Sequence, residues 1–149
     1  MREHKVCCCF GHRDVFEDIS EKLNTSVVMA IENGCDTFIT GGDGEFDKLF
    51  ASAVRRAKEK HPYITLELIK PYFSNNWNTQ QEYFTSLYDA IVVPDELANI
   101  HFKRVITHRN RWMVDKSDII IAYVRRWFGG AYTAVQYAQK QEKQIFYIT

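Results

Sequence analysis

The sequence predicts an α/β fold of the Rossmann-like type, a three-layer αβα sandwich with a mostly parallel sheet. Two observations predict it. First, short apolar runs alternate along the chain with segments whose apolar residues recur at helical spacing, the pattern of strands joined by right-handed helical crossovers. Second, three turns rich in glycine or polar residues follow predicted strands. Since ligands of parallel sheets bind outside the carboxyl ends of the strands, these turns are expected to share one rim.

Each predicted strand is a short apolar run bounded by a turn or a helical segment. The three consecutive isoleucines Ile119–Ile121 predict the most buried and central strand. The fourth run is either a strand or an extended connection. In chain order the predicted strands are Lys5–Phe10, Thr37–Thr40, Thr65–Lys70, Ala90–Val93, Ile119–Val124 and Ile145–Ile148.

The segments between the strands have apolar residues three or four positions apart, as on one face of a helix. The first helix is predicted from Phe16 to Ile31, and Asn33-Gly34 closes it because glycine accepts a positive φ. The second helix ends near Lys60. The sequence Thr79–Glu82 matches a capping box and predicts a helix that starts at Thr79. Two further helices are predicted over Phe102–Asp115 and from Ala131 onward.

Composition sets the limits for function. The chain has 149 residues, 46% of them apolar and 26% charged, which predicts one domain over residues 1–149. Its formal net charge is zero, which argues against a protein built mainly to bind nucleic acid, although a local basic patch remains compatible with the sequence.

No run approaches the roughly 18–20 apolar residues of a membrane span, and no signal peptide is apparent. We expect a cytoplasmic protein without a membrane partner, and a homo-oligomer is compatible with the sequence.

Four cysteines are present, at Cys7, Cys8, Cys9 and Cys35. Consecutive side chains of a strand point to opposite faces, so three adjacent cysteines cannot converge on one metal ion. No CxxC pair and no Cys/His spacing of a zinc site occurs, so no metal site is predicted from these residues. We expect them to be buried or half-buried in strands as small apolar residues.

The most informative stretch is Gly41-Gly42-Asp43-Gly44, which lies between a predicted strand and a helix. Glycines there would let backbone N–H groups approach a phosphate at the helix N-terminus. The spacing is neither GxGxxG nor a Walker P-loop, and a plain tight turn is the alternative. Asp43 and Asp47 are candidates to bind ribose or Mg²⁺, or to offset the helix dipole, the role favoured for Glu45.

Two further turns belong to the predicted rim. After the first strand, Gly11-His12-Arg13 offers an arginine that could bind phosphate and a histidine that could donate a hydrogen bond. After the fifth strand, Gly129-Gly130 with Thr133 opens a helix whose N–H groups could bind an anion. Arg109-Asn110 precedes that strand, and the stripe shared with Met113 would place Arg109 at the rim. The alternative for Arg109 is a solvated arginine, and the alternative for Gly129-Gly130 is an ordinary helix start that contains glycine.

Taken in order, these motifs resemble the YpsA-like branch of the SLOG superfamily, which also contains the SMF/DprA and LOG proteins. The resemblance covers nearly the whole chain and implies a Rossmann-like sheet with a site for a nucleotide or nucleotide-derived ligand. Some members of this branch occur in phage-like contexts. The residues that carry the resemblance are Cys9–Arg13, Thr40–Gly44 with Asp47, Arg109-Asn110, Met113–Asp115, Ser117-Asp118, Gly129-Gly130, Thr133 and Val135.

The LOG enzymes release a base from a nucleoside monophosphate, and their motif is only partly present. Arg109, Gly129, Gly130 and Thr133 match it, whereas Gln136 stands where a glutamate is expected. An uncharged amide stabilises an oxocarbenium ion or activates water less well than a carboxylate. The similarity therefore favours ligand binding over LOG-type hydrolysis.

The sequence leads to one principal hypothesis and two alternatives. We expect a module, non-catalytic or regulatory, that binds a nucleotide, ADP-ribose or an NAD-like ligand, with no certain cofactor. The first alternative is a nucleotide hydrolase that cleaves an N-glycosidic or phosphate-ester bond. The second is a DprA-like protein that binds single-stranded nucleic acid through a patch formed by Arg104, Arg109, Arg111, Arg125 and Arg126.

Overall fold

The computed structural model describes residues 4–73 and 77–149, and for 77–81 it describes the backbone only. In these ranges five α-helices alternate with six strands, and one 3-10 turn lies at Asp95–Leu97. The strands are β1 (Lys5–Gly11), β2 (Cys35–Thr40), β3 (Thr65–Ile69), β4 (Ala90–Val92), β5 (Ile119–Tyr123) and β6 (Gln144–Tyr147). The helices are α1 (Ser20–Glu32), α2 (Glu45–Lys58), α3 (Trp77–Leu87), α4 (Phe102–Lys116) and α5 (Gly130–Lys140). None of the described helices is both long and apolar enough to cross a membrane.

The strands form one sheet in the order β4-β3-β2-β1-β5-β6, and every pairing is parallel. The predicted Rossmann-like α/β class is confirmed. Strand β1 lies between β2 and β5, and the chain leaves it toward β2 but returns on its other side at β5. This is the switch point of the sheet, where a crevice opens between loops that run in opposite directions.

Helices cover both faces of the sheet. Because side chains alternate along β1, Cys7 and Cys9 belong to one apolar cluster, while Cys8 and Phe10 belong to the other. Residues of α1 and α2 complete the first cluster, and residues of α4 and α5 complete the second.

The four cysteines are buried free thiols, as predicted. Burial raises the pKa of the Cys8 thiol to about 12 and raises the pKa of Cys7 and Cys9 as well. The thiols are therefore protonated and apolar in character at neutral pH.

Two helix starts differ from the prediction. Helix α1 begins at Ser20, and Phe16 lies before it with its side chain 93% exposed. The preceding segment instead packs on α2, where the Val15 N–H donates to Glu45 Oε1 at 2.7 Å. Helix α3 is described from Trp77, so Thr79 lies inside the helix and not at its start, and the side chains of the predicted capping box at positions 79–81 lie outside the described residues. Gly34 has a φ of +101°, which confirms the predicted close of α1.

The start of α2 packs directly on the end of β1. Phe46 is fully buried and its ring stacks on Tyr123, with ring centroids 5.7 Å apart. A Cβ at Gly11 would lie 2.2 Å from Phe46 Cγ. Only glycine at position 11 lets the aromatic ring approach the strand so closely.

Gly11→Ala should therefore lower the free energy of unfolding by at least about 1–3 kcal/mol, because the core must shift to admit a methyl group. Urea denaturation measures this change. Gly130→Ala is a matched control, since a Cβ there meets no atom within 4 Å. The control should stay within about 0.5 kcal/mol of the wild type. Equal stability of Gly11→Ala and the wild type would contradict this packing.

Candidate functional site

A cleft of about 230 Å³ opens at the switch point, above the carboxyl ends of β1 and β2. The loop after β5, the start of α5 and one face of α4 form its other walls. The predicted residues that line it are Gly11, His12, Arg13, Asp43, Asp47, Arg109, Asn110 and Gly130. Phe10, Ile106, Arg126 and Ala131 also line it and were not among the predicted site residues.

The remaining predicted residues lie around this cleft rather than in it. Gly41 contacts the Arg109 guanidinium, and Gly44 packs on Arg13. Gly42 takes a φ of +67° in the turn, and Gly129 caps α5. Thr133 lines an adjoining groove between α4 and α5.

Arg109 is buried, with its side chain only 3% exposed, and it forms an ion pair with Asp43. Its Nη1 donates to the Gly41 carbonyl at 3.5 Å, and its Nε and Nη2 donate to Asn110 Oδ1 at 3.3 and 3.1 Å. A Cβ at Gly41 would lie 2.8 Å from the Arg109 Cζ atom. Glycine at position 41 is thus needed to seat the guanidinium, and Arg109 does not belong to a solvated basic patch.

The N–H groups of the turn after β2 are mostly bound within the protein. The Gly42 N–H donates to Thr40 Oγ1 at 3.3 Å, and the Asp43 N–H donates to Asp47 Oδ2 at 3.0 Å. At the start of α2, the N–H groups of Glu45 and Phe46 donate to the carbonyls of residues 13 and 12 at 2.9 and 3.4 Å. The β1 loop therefore covers the N-terminus of α2.

The N-terminus of α5 is open. Gly129 has a φ of +97°, and its carbonyl accepts hydrogen bonds from the Thr133 N–H at 3.0 Å and the Thr133 hydroxyl at 2.9 Å. Within the described part of the chain, the N–H groups of Gly130, Ala131 and Tyr132 have no hydrogen-bond partner. Gly130 and Ala131 line the cleft. Free N–H groups and the helix dipole make this end suited to an anion.

His12 joins the β1 loop to the β5 loop. Its Nε2 accepts the Arg125 N–H at 2.8 Å, so the neutral ring carries its proton on Nδ1. Burial lowers the pKa of His12, and the charges of Arg126 and Arg125 lower it further. His12 is 7% exposed, and its hydrogen bond holds the β5 loop against the β1 loop.

The two arginines after β5 differ in their surroundings. Arg125 is engaged by Glu17 at 3.0 Å and by the Ile148 carbonyl at 2.6 Å. Arg126 is exposed, lies over the Phe128 ring at 4.9 Å and faces the cleft. In the sequence, two arginines follow a buried strand directly and indicate a basic group at the rim. The sequence alone does not show which of the two lacks an acidic partner and can bind a ligand.

Asp47 is half-buried beneath the cleft. Its Oδ1 accepts a hydrogen bond from Cys9 Sγ at 3.6 Å, and its Oδ2 accepts the Asp43 N–H. Burial raises the pKa of Asp47 to about 6; the Asp43 N–H lowers it and the Asp43 charge raises it. Glu45 binds the Val15 N–H and supports the loop. Within the described ranges, no group of three or more His, Cys, Asp or Glu side chains could hold a metal ion.

Gln136 lies on the exposed side of α5, where its amide donates to the Tyr132 hydroxyl. It does not line the cleft. The residue that replaces the glutamate of the LOG-type motif therefore lies outside the cleft.

The raised pKa of Asp47 predicts a pH-dependent stability. A carboxyl whose pKa rises on folding binds its proton more tightly in the folded state, so it favours folding at low pH. The free energy of unfolding should therefore increase as the pH falls from about 7 to about 4. Above about pH 6 this stabilisation by the Asp47 proton should be lost. Asp47→Asn should remove the part of the pH dependence that Asp47 contributes and raise the free energy of unfolding at pH 8 by roughly 1–3 kcal/mol.

Urea denaturation between pH 4 and pH 8 measures this difference. Asp14→Asn is the control, because Asp14 is an exposed carboxyl of the same rim. If Asp47→Asn keeps the full pH dependence of the wild type, the half-buried Asp47 carboxyl does not titrate as described.

Comparison with known proteins identifies the family. Residues 2–149 match the YpsA family model, described as the YspA SLOG family. No curated protein matches the sequence significantly.

Solved structures share the fold at low sequence identity. DNA processing protein A of Streptococcus pneumoniae is 12% identical with a TM-score of 0.67, over 97% of this chain and 50% of that one. DNA processing protein A of Helicobacter pylori is 17% identical with a TM-score of 0.66, over 96% of this chain and 64% of that one. The molybdenum cofactor binding protein of Rippkaea orientalis is 17% identical with a TM-score of 0.61, over 99% and 77%.

The chain thus spans half to about two thirds of the two DNA processing proteins that it resembles. At these identities the likeness shows the fold. The family match covers residues 2–149 and agrees with the motifs at the rim, and the chain belongs to the YspA SLOG family.

Proposed function

We propose that the cleft binds a nucleotide or nucleotide-derived ligand in a non-catalytic or regulatory role, with phosphate at the N-terminus of α5. One observation carries the proposal: the N–H groups of Gly130, Ala131 and Tyr132 are free of partners within the described residues, and the first two face the cleft. An oriented set of free amides at a helix N-terminus is a preferred phosphate site.

The charges around these amides favour an anion. Arg13 and Arg126 line the cleft and are exposed, so each can reach a phosphate oxygen. Arg109 adds a buried positive charge that Asp43 largely compensates. Asp47 also lines the cleft, and its carboxylate opposes anion binding less only below about pH 6, where it takes up a proton.

The structural neighbours are consistent with a small-molecule ligand. Two of them are a molybdenum cofactor binding protein and the molybdenum cofactor carrier protein of Chlamydomonas reinhardtii. The H. pylori neighbour binds single-stranded DNA. That role fits less well here, because Arg109 is buried, Arg125 is engaged by Glu17, and the chain has no net positive charge.

Calorimetry and thermal-shift measurements with sulfate, pyrophosphate, AMP, ADP-ribose and NAD test the proposal. Binding should raise the melting temperature by mass action. Arg126→Gln should weaken pyrophosphate binding by about tenfold or more, because it removes a charge-assisted contact of about 1.5–3 kcal/mol.

Arg104→Gln is the matched control, since Arg104 is an exposed arginine of α4 outside the cleft. It should bind pyrophosphate like the wild type. The proposal fails if no anion in the panel binds at millimolar concentration, or if both variants lose the same affinity.

A nucleotide hydrolase is the second candidate, and Asp47 is the observation that favours it. A half-buried carboxyl with a pKa near 6 in a cleft is suited to proton transfer at neutral pH. Incubation with AMP distinguishes the candidates: release of adenine or of inorganic phosphate that Asp47→Asn abolishes supports the hydrolase, and unchanged AMP removes it.

We also propose a cytoplasmic location. The four free thiols suit a reducing compartment.

A further inference from the structure

Another cavity lies at the outer edge of the sheet, and it shares no lining residue with the cleft. Its volume is about 390 Å³, within the roughly 300–1,000 Å³ that is usual for ligand pockets. The segment after β3, the 3-10 turn after β4 and the first turn of α4 form its walls. This β4 groove is defined by Tyr72, Phe73, Asp95, Leu97, Phe102 and Val105.

The walls of the β4 groove are aromatic and aliphatic. Tyr72, Phe73 and Phe102 are 53%, 65% and 69% exposed, although all three line the same cavity. Leu97 and Val105 are buried and add aliphatic surface to it. Large apolar side chains that are exposed together around one cavity mark a binding site rather than scattered surface residues.

The polar side chains of the groove favour a cation. Among the described residues that line it, only Tyr72 and Asp95 have polar side chains. Asp95 is exposed, and its carboxylate has no hydrogen-bond or ion-pair partner in the part of the chain that the structure describes. The neighbouring carboxylate of Glu96 is engaged elsewhere, since it accepts the Trp112 Nε1–H. Asp95 therefore brings one unpaired negative charge to the groove.

The 3-10 turn in the wall offers little to an anion. The N–H groups of Leu97, Ala98 and Ile100 donate to the carbonyls of residues 94, 95 and 97, each at 3.1 Å. Pro71 and Pro94 also line the groove and have no N–H. Aromatic ring faces and a carboxylate are left to contact a ligand, and both attract positive charge.

We propose that the β4 groove binds an alkylated ammonium group that carries an apolar body. The apolar body contacts the aliphatic wall, and the aromatic rings together with the Asp95 carboxylate match the positive charge. The basic residues Lys103 and Arg104 lie in the same turn of α4 but do not line the groove. This site is separate from the anion site proposed in the cleft.

Titration of the ¹⁵N-labelled protein with benzyltrimethylammonium, followed by amide NMR, tests this site. The probe has a permanent positive charge and an aromatic body. At millimolar concentration it should shift the amides of residues 95–105 and leave those of residues 130–132 unmoved. Benzyl alcohol has the same ring without the charge. It should bind at least about threefold more weakly, because it gains no attraction from the ring faces or the carboxylate.

Phe102→Ala and Asp95→Asn test the two features of the groove. Both residues are exposed, so the fold should persist. Each variant should bind benzyltrimethylammonium about threefold or more weakly than the wild type. Phe16→Ala and Asp14→Asn are the matched controls, because both residues are exposed and lie outside the groove. The controls should bind the probe like the wild type.

The inference is overturned if the probe does not bind, if benzyl alcohol binds equally well, or if Phe102→Ala or Asp95→Asn binds the probe like the wild type. Analytical ultracentrifugation tests a second copy as the occupant. A wild-type dimer that Phe102→Ala converts to a monomer would also overturn the inference. None of these outcomes bears on pyrophosphate binding at α5, which tests the proposed function separately.

Discussion

The packing of the start of α2 against the end of β1 is the constraint on which the cleft depends. Gly11 lets the buried Phe46 ring lie against the strand, and this brings the β1 loop over the first turn of α2. The carbonyls of residues 12 and 13 then accept the N–H groups that a helix normally leaves open. The N-terminal N–H groups of α2 therefore bind the β1 loop. The helix N-terminus with free N–H groups that faces the cleft is that of α5.

The buried ion pair of Arg109 and Asp43 organises the opposite wall. A buried guanidinium needs several acceptors, and Arg109 obtains them from Asp43, the Gly41 carbonyl and Asn110. The pair fixes the turn after β2 to α4 and orients the Asn110 amide. One interaction therefore links the glycine turn after β2 to the wall of the cleft that α4 forms.

Much of the architecture could be predicted from the sequence because it follows from local patterns. The alternation of apolar runs and helical segments predicted the parallel sheet, and the turns after β1, β2 and β5 do converge on one cleft. The buried cysteines followed from their place in an apolar strand of a sheet that is covered on both faces. The helix start proposed near Phe16 was wrong because the loop there is held by Glu45, which lies about thirty residues away.

The distribution of free N–H groups could not be predicted. The glycines at positions 41–44 looked like a phosphate loop, yet the N–H groups of Gly42 and Asp43 are bound by Thr40 and Asp47. Whether an amide is free depends on side chains and carbonyls that only the fold brings near. The same holds for Arg126, which is distinguished from Arg125 only by the distant partners of Arg125.

Of the two glycine turns predicted to bind phosphate, the one at the N-terminus of α5 has three N–H groups without a partner within the described residues, whereas the N–H groups of Gly42 and Asp43 are bound. We therefore expect phosphate at α5 and not at the turn after β2. A titration of the ¹⁵N-labelled protein with pyrophosphate, followed by amide NMR, tests this claim most directly. The largest shifts should occur at the amides of Gly130, Ala131 and Tyr132. Dominant shifts at Gly42–Glu45 with residues 130–132 unmoved would contradict it.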